Sequence, residues 1–290
     1  MLDLLLRPFE YEFFIRAMGV GVLAGLLCGV MGVYIITRHM SYIAHGLSHA
    51  ILGGAVLSYV LGINFYFGAG VWGFVAALVI QFLTGKRVYA DAAIGIVTTA
   101  SFALGVAIIS TYRSFTRSFE AALFGNVLGI TPTDVWIVAI VTVVLLSLIF
   151  VFYRPLLFWS FDREVAQVHG VSVFSMDTLF ALMLAALIVS TLQILGVTLI
   201  ISAIVIPAST ARLLSDRFGV MMIISGAIGA VVAFFGIYLS YYLDIASGAS
   251  VVLLSTLVFT IVLAWTNIQR RHRKRFVSMD DHTHPSVKAP

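Results

Sequence analysis

The sequence has very little charge. Asp, Glu, Lys and Arg together make up 10% of its 290 residues, where a soluble domain carries about 25%, and 61% of the residues are hydrophobic. With a mean hydropathy of +1.08, an ordinary water-soluble fold is excluded and the chain reads as a polytopic membrane protein. Cysteine is nearly absent too. The single Cys28 leaves no disulfide framework and no thiolate metal cluster. No G-x-x-x-x-G-K-[ST] loop occurs, so the chain cannot itself be a P-loop ATPase. No folded basic surface is encoded either. The net charge of +4 is concentrated in IQRRHRKRF (268–276), which argues against a nucleic-acid partner. All thirteen acids lie outside or at the ends of the apolar runs, so no carboxylate is expected at mid-membrane depth. The N-terminal MLDLLLRPFEYEFF lacks a basic n-region and a small-residue cleavage site. It reads as a retained amphipathic segment rather than a signal peptide.

Long apolar runs fill the rest. Candidates fall near 14–36, 43–61, 66–84, 92–110, 133–153, 174–194, 196–213, 219–242 and 247–267, each about long enough to cross a bilayer as a helix. The fold class is therefore an all-α membrane bundle of eight or nine spans. It occupies residues 1–268, with a basic, disordered tail expected over 269–290. Pro207 should kink or break the run that contains it. Alternating the loops puts Arg38, Lys86, Arg87, Arg154, Arg163, Arg212, Arg217 and the basic tail on one side, and Arg7, Arg16, Arg113 and Arg117 on the other. The richer side, with the C-terminus, is expected to be cytoplasmic. Small residues recur every fourth position at Gly21, Gly25 and Gly29, and at Gly46, Ala50 and Gly54. Such stripes let helix backbones approach closely.

Two histidines stand out in SYIAHGLSHAILGGA (41–55). His45 and His49 lie four apart, hence on one helix face and within reach of one metal ion. The alternative is a pair of neutral imidazoles hydrogen-bonded to neighbouring helices. Ionisable groups inside a membrane are expensive and mark pathways or sites, which favours the metal reading. Two ligands make a weak site, because zinc takes three or four; backbone carbonyls at a broken helix, water or a second copy of the chain must supply the rest. Weak binding suits a protein that releases what it binds. His282 and His284, in DDHTHP, belong by composition to a polar tail.

A second feature is FDREVAQVHGV (161–171), which reads as a short amphipathic helix between two spans. Asp162 suits the N-cap and Glu164 the first turn. Val165 and Val168 form an apolar stripe, and Gly170 is a C-terminal stop. The stripe calls for a partner groove or a bed of lipid headgroups.

The stretch GVYIITRHMSYIAHGLSHAILGGAVLSYVLG (32–62) resembles the membrane subunits of bacterial manganese, zinc and iron ABC importers. DREVAQVHGV (162–171), LGVTLIISAIVIPASTARLL (195–214) and DIASGASVVLL (244–254) continue the resemblance in the same order. The resemblance implies a type II importer architecture in the bacterial cytoplasmic membrane. Its partners would be a second membrane subunit (a homodimer expected), an ATP-binding subunit and an extracytoplasmic metal-binding protein. The metal would be cargo, with no permanently bound cofactor and no enzymatic activity in this chain. Asp162, Arg163, Glu164, Val165, Val168 and Gly170 would form the coupling helix seated in the ATPase, and His45 and His49 the metal contacts. His49 matches the family histidine, whereas relatives often carry Asp at the position of His45. His-His favours nitrogen-preferring ions and a carboxylate favours hard cations such as manganese. Asn126 likewise stands where many relatives carry Asp. Only neutral imidazole ligates metal, so uptake should weaken as pH falls through the ordinary imidazole range near 6.5; uptake measured between about pH 5.5 and 7.5 checks this. A secondary transporter would carry an intramembrane acid for coupling, and a bis-His haem protein would draw its ligands from two helices. Neither pattern is present.

Overall fold

A computed structural model describes residues 6–84, 86, 88–111, 125, 129–197 and 199–280. Among these there is no strand. After a 3-10 turn at Arg7–Glu10, the helices are α1 (Glu12–Thr37), α2 (Ser41–Val60), α3 (Phe65–Thr84), α4 (Ala90–Thr111), α5 (Pro132–Val151), α6 (Tyr153–Phe161), α7 (Arg163–Val168), α8 (Val173–Leu195), α9 (Ile200–Leu214), α10 (Phe218–Leu243) and α11 (Ser247–Asp280). Eight are long and apolar enough to cross a membrane. The ninth apolar run became α9, whose 15 residues span only about 22 Å at 1.5 Å per residue.

Pro207 does not break that run. Helix α9 continues through Pro207, which is buried in the core. Packing on all sides holds the turn despite the backbone bond that proline cannot donate. The helix before α9 ends at the boundary expected between runs 174–194 and 196–213, at Gly196, whose φ of 72° and ψ of 157° belong to a region open essentially to glycine alone. Helix α11 runs on to Asp280, into the basic segment 269–290. Lys, Arg and Gln are good helix formers, and an existing helix extends without a new nucleation cost. Residues 281–290, with His282 and His284, lie outside the described residues.

The most extensive helix pairing joins α1 to α10. A Cβ added at Gly25 would collide with the Gly229 carbonyl, and one at Gly29 with the Ser225 carbonyl. The Ser225 hydroxyl donates to the Gly29 carbonyl at 2.6 Å. The order of these contacts makes the two helices antiparallel. In lipid, where burial gives helices little reason to associate, such close backbone approach and interhelical hydrogen bonds provide the cohesion. Helix α2 packs on α3 and α4 in the same manner. Ser101 of α4 donates to the Ala50 carbonyl at 2.6 Å and accepts from the Trp72 indole of α3 at 2.6 Å. At one end of the bundle, Thr131 and Asp134 form a capping box on α5 with Pro132 in the first turn. The buried Asp134 carboxylate also accepts from the Tyr66 hydroxyl at 2.7 Å, which fixes α3 against α5.

Candidate metal centre and coupling surface

Three residues, 38 to 40, connect α1 to α2, and His39 among them has a φ of 56°, uncommon for a side chain with a Cβ. This tight turn sets the histidine helix against its neighbours. One turn into α2, the His45 and His49 rings lie with centroids 4.7 Å apart at 76°. His49 is half-buried and packs edge-on against Phe102 of α4, 5.7 Å away. His45 is exposed, as is Tyr42 three residues earlier on the same stripe. The pair thus sits on a face of α2 that the single chain leaves open. Behind it, the Ala50–Ser101–Trp72 connection holds the helix in place. No group of three or more His, Cys, Asp or Glu side chains comes together among the described residues, so among them no third such side chain joins the pair. Asn126 lies outside the described residues.

The 161–171 segment folds as its residues require. The Asp162 carboxylate accepts from the backbone N–H groups of Glu164 at 2.7 Å and Val165 at 3.3 Å, capping α7. Glu164 occupies the first turn. Gly170, at φ 75°, ends the helix in a Schellman arrangement: its N–H donates to the Gln167 carbonyl and that of Val171 to the Ala166 carbonyl, both at 2.9 Å. Ala166 is buried while Val165 and Val168 are 42% and 85% exposed. Phe161 and Phe174 are exposed beside them. The result is a small, rigidly capped knob with an apolar tip.

Beneath the knob, Asp177 of α8 gathers three donors. Arg163 approaches its Oδ2 at 2.6 Å, while the Trp159 indole and Arg38 approach Oδ1 at 2.8 and 3.5 Å. The Arg38 guanidinium also lies 4.1 Å from the Trp159 ring centre and donates to the Trp159 carbonyl at 2.7 Å. Burial lowers the Arg38 pKa from its ordinary value, Asp177 raises it back, and Arg163 adds to the lowering. Nothing in the sequence pointed to this cluster.

A profile of the ABC 3 transport family matches residues 10–266. The chain belongs to this family. The manganese transport system membrane protein MntC of Listeria monocytogenes is 40% identical over 253 residues, covering 87% of this chain and 90% of that protein. The chelated iron transport system membrane protein YfeC of Yersinia pestis is 35% identical over 291 residues, covering 100% and 99%. Among solved structures, PsaBC from Streptococcus pneumoniae in complex with Fab superposes with a TM-score of 0.82 at 33% identity, over 90% of this chain and 95% of that one. An inward-facing putative metal-chelate type ABC transporter shares the fold, with a TM-score of 0.69 at 17% identity. This ABC 3 family member is accordingly an all-helical, multi-pass membrane protein with an ABC permease fold. In this chain the fold carries the short capped helix α7 and the His45–His49 pair on α2.

Proposed function

We propose that the chain is the permease subunit of an ATP-binding-cassette importer that carries a divalent transition metal, manganese, ferrous iron or zinc, across a bacterial cytoplasmic membrane. The observation that carries this reading is the His45–His49 pair, set at ligand spacing on a face the lone chain leaves open. Two ligands per chain hold a metal only loosely. A second membrane subunit related by a two-fold axis would double the donor set and complete the path. The relatives' names supply the substrate class, one for manganese and one for iron.

The family resemblance supplies the rest of the importer, and the exposed tip of α7 gives it a docking point. The apolar tip of α7 seats in a groove of a separate ATP-binding subunit, which puts this side and the C-terminus in the cytoplasm. That agrees with the side on which the arginines and lysines concentrate. A metal-binding protein delivers the ion from outside. ATP binding draws the two ATPases together, their grooves carry α7 with them, and the helices rock to open the path to one side at a time. The ion passes His49 and His45 and is released inward, and the chain itself hydrolyses nothing.

The test is uptake of Mn2+, Fe2+ and Zn2+ offered separately to cells holding the complete system. ATP-dependent uptake of one of them supports the reading. Uptake that survives ATP depletion but collapses with the ion gradient refutes it. A second prediction concerns α7. Val168→Glu places a carboxylate on the tip and is expected to reduce ATPase co-purification at least about tenfold, the cost of burying one unpaired charge at an interface. Quantitative blotting of detergent-purified complexes checks it.

A further inference from the structure

Asp177 is shared between two arginines that belong to different parts of the machine. Arg163 is the first residue of α7, and Arg38 is the first residue of the connection into α2. The two contacts are unequal: 2.6 Å to Arg163 and 3.5 Å to Arg38. The Asp177 and Arg38 side chains are only 9% and 10% exposed, while that of Arg163 is 53% exposed. If α7 moves, the exposed partner leaves most readily. The carboxylate is then free to close on Arg38, because a charge out of water demands a counter-charge. With Arg163 tight on Oδ2 and Arg38 loose on Oδ1, the carboxylate has room for a second arrangement closer to Arg38, which a displaced α7 would select. Arg38 in turn has little freedom to move alone. Its guanidinium lies over Trp159 and donates to the Trp159 carbonyl, and the strained His39 and then Met40 join it directly to the first turn of α2. Room for α2 to shift exists at that end. A cavity of about 250 Å3 lies there, lined by Arg38, Met40, Ile43, Ile94 and Asp177 among others.

We propose that Asp177 is a positioning residue that transmits the displacement of α7 to the histidine-bearing start of α2, by exchanging its grip between Arg163 and Arg38. The inference rests on the reading of α7 as the helix that docks on the ATPase. A purely structural role would require only that the carboxylate neutralise Arg38. A transmitting role requires both arginines.

The experiment uses the whole transporter, this chain with its ATPase and second membrane subunit, reconstituted in lipid vesicles with its metal-binding protein. ATP hydrolysis and Mn2+, Fe2+ or Zn2+ uptake are measured on the same preparation. In Asp177→Asn the amide keeps the side chain's shape and can still accept from Trp159. Metal taken up per ATP hydrolysed is expected to fall roughly threefold to thirtyfold, the size of a coupling energy lost along such a connection. Asp177→Glu should recover part of it. Because Asp177→Asn leaves Arg38 without its counter-charge, which threatens accumulation, Arg163→Gln is measured alongside. It keeps the Asp177–Arg38 pair and is expected to give the same fall in the ratio. Hydrolysis and uptake declining together, or a ratio unchanged in Arg163→Gln, overturns the proposal. A wild-type complex without ATP-dependent uptake of any of the three metals overturns the functional reading itself, and this inference with it.

Discussion

Cells in which His49 is replaced by alanine are expected to take up the cargo metal no faster than cells without the transporter, while the protein stays in the membrane at its normal level. Loss of a hydrogen-bonding group behind a ligand already costs about 10–100-fold in metal affinity, and His49 is proposed as a ligand. If the partner subunit is a second copy, each substitution removes two imidazoles from one pathway. The variant should still fold. His49 is only half-buried, its ring touches Phe102 edge-on, and the contacts that hold α2 in place run through Ala50, Ser101 and Trp72. Metal-resolved uptake beside an immunoblot of the membrane fraction checks the expectation. His45→Asp is the companion. Its side chain is exposed, so the carboxylate enters without a packing cost, and a hard oxygen donor should move preference toward manganese. Unchanged uptake in both variants would make the pair a packing feature and remove the observation on which the function rests.

The second large effect lies far from the histidines. Gly25→Val is expected to prevent accumulation of the folded chain. The added Cβ would occupy the space of the Gly229 carbonyl and crowd Ala233, and both obstacles belong to a helix with no freedom to recede on its own. Overpacking by flexible side chains costs about 1–3 kcal/mol. Here the collision is with backbone, so α1 and α10 must separate and forfeit the close contacts that hold a membrane bundle together. Gly19→Val is the control: a Cβ at Gly19 meets nothing within 4 Å. Protease resistance or fluorescence-detected gel filtration of tagged protein in detergent should show a monodisperse peak for Gly19→Val and its loss for Gly25→Val. A normal peak for Gly25→Val would mean that the seam can be repacked.

The sequence carried what is local. Apolar run length placed the spans, because a bilayer core of about 30 Å sets one minimum for them all. The Gly21–Gly25–Gly29 stripe marked the face of α1 that meets α10. Asp162 and Gly170 delimited α7, since a cap and a left-handed stop are decided by neighbours a few residues away. The side-by-side His45 and His49 followed from helical periodicity alone. What stayed hidden depends on distant parts of the chain. Arg38 and Asp177 are separated by 139 positions, and Tyr66 and Asp134 by 68; neither pair has a local signature. Pro207 misled for a related reason: its expected break is a local preference, which surrounding helices overrule. The boundary at Gly196 was legible, because one apolar run ends at 194 and the next begins at 196. Phe102, which flanks His49, looks in the sequence like any other lipid-facing aromatic.

The seam between α1 and α10 also has a consequence in time. The hydroxyl of Ser225 and the carbonyl of Gly29 are 196 residues apart. At about 5–20 residues per second, the ribosome delivers the second roughly 10–40 s after the first. Throughout that interval α1 is already in the bilayer with its glycine groove uncovered, while the helices between are still being inserted. A chain that stalls before residue 218 leaves that groove open for good. Such a fragment would be adhesive toward any helix with a small-residue face, and membrane quality control should find it there.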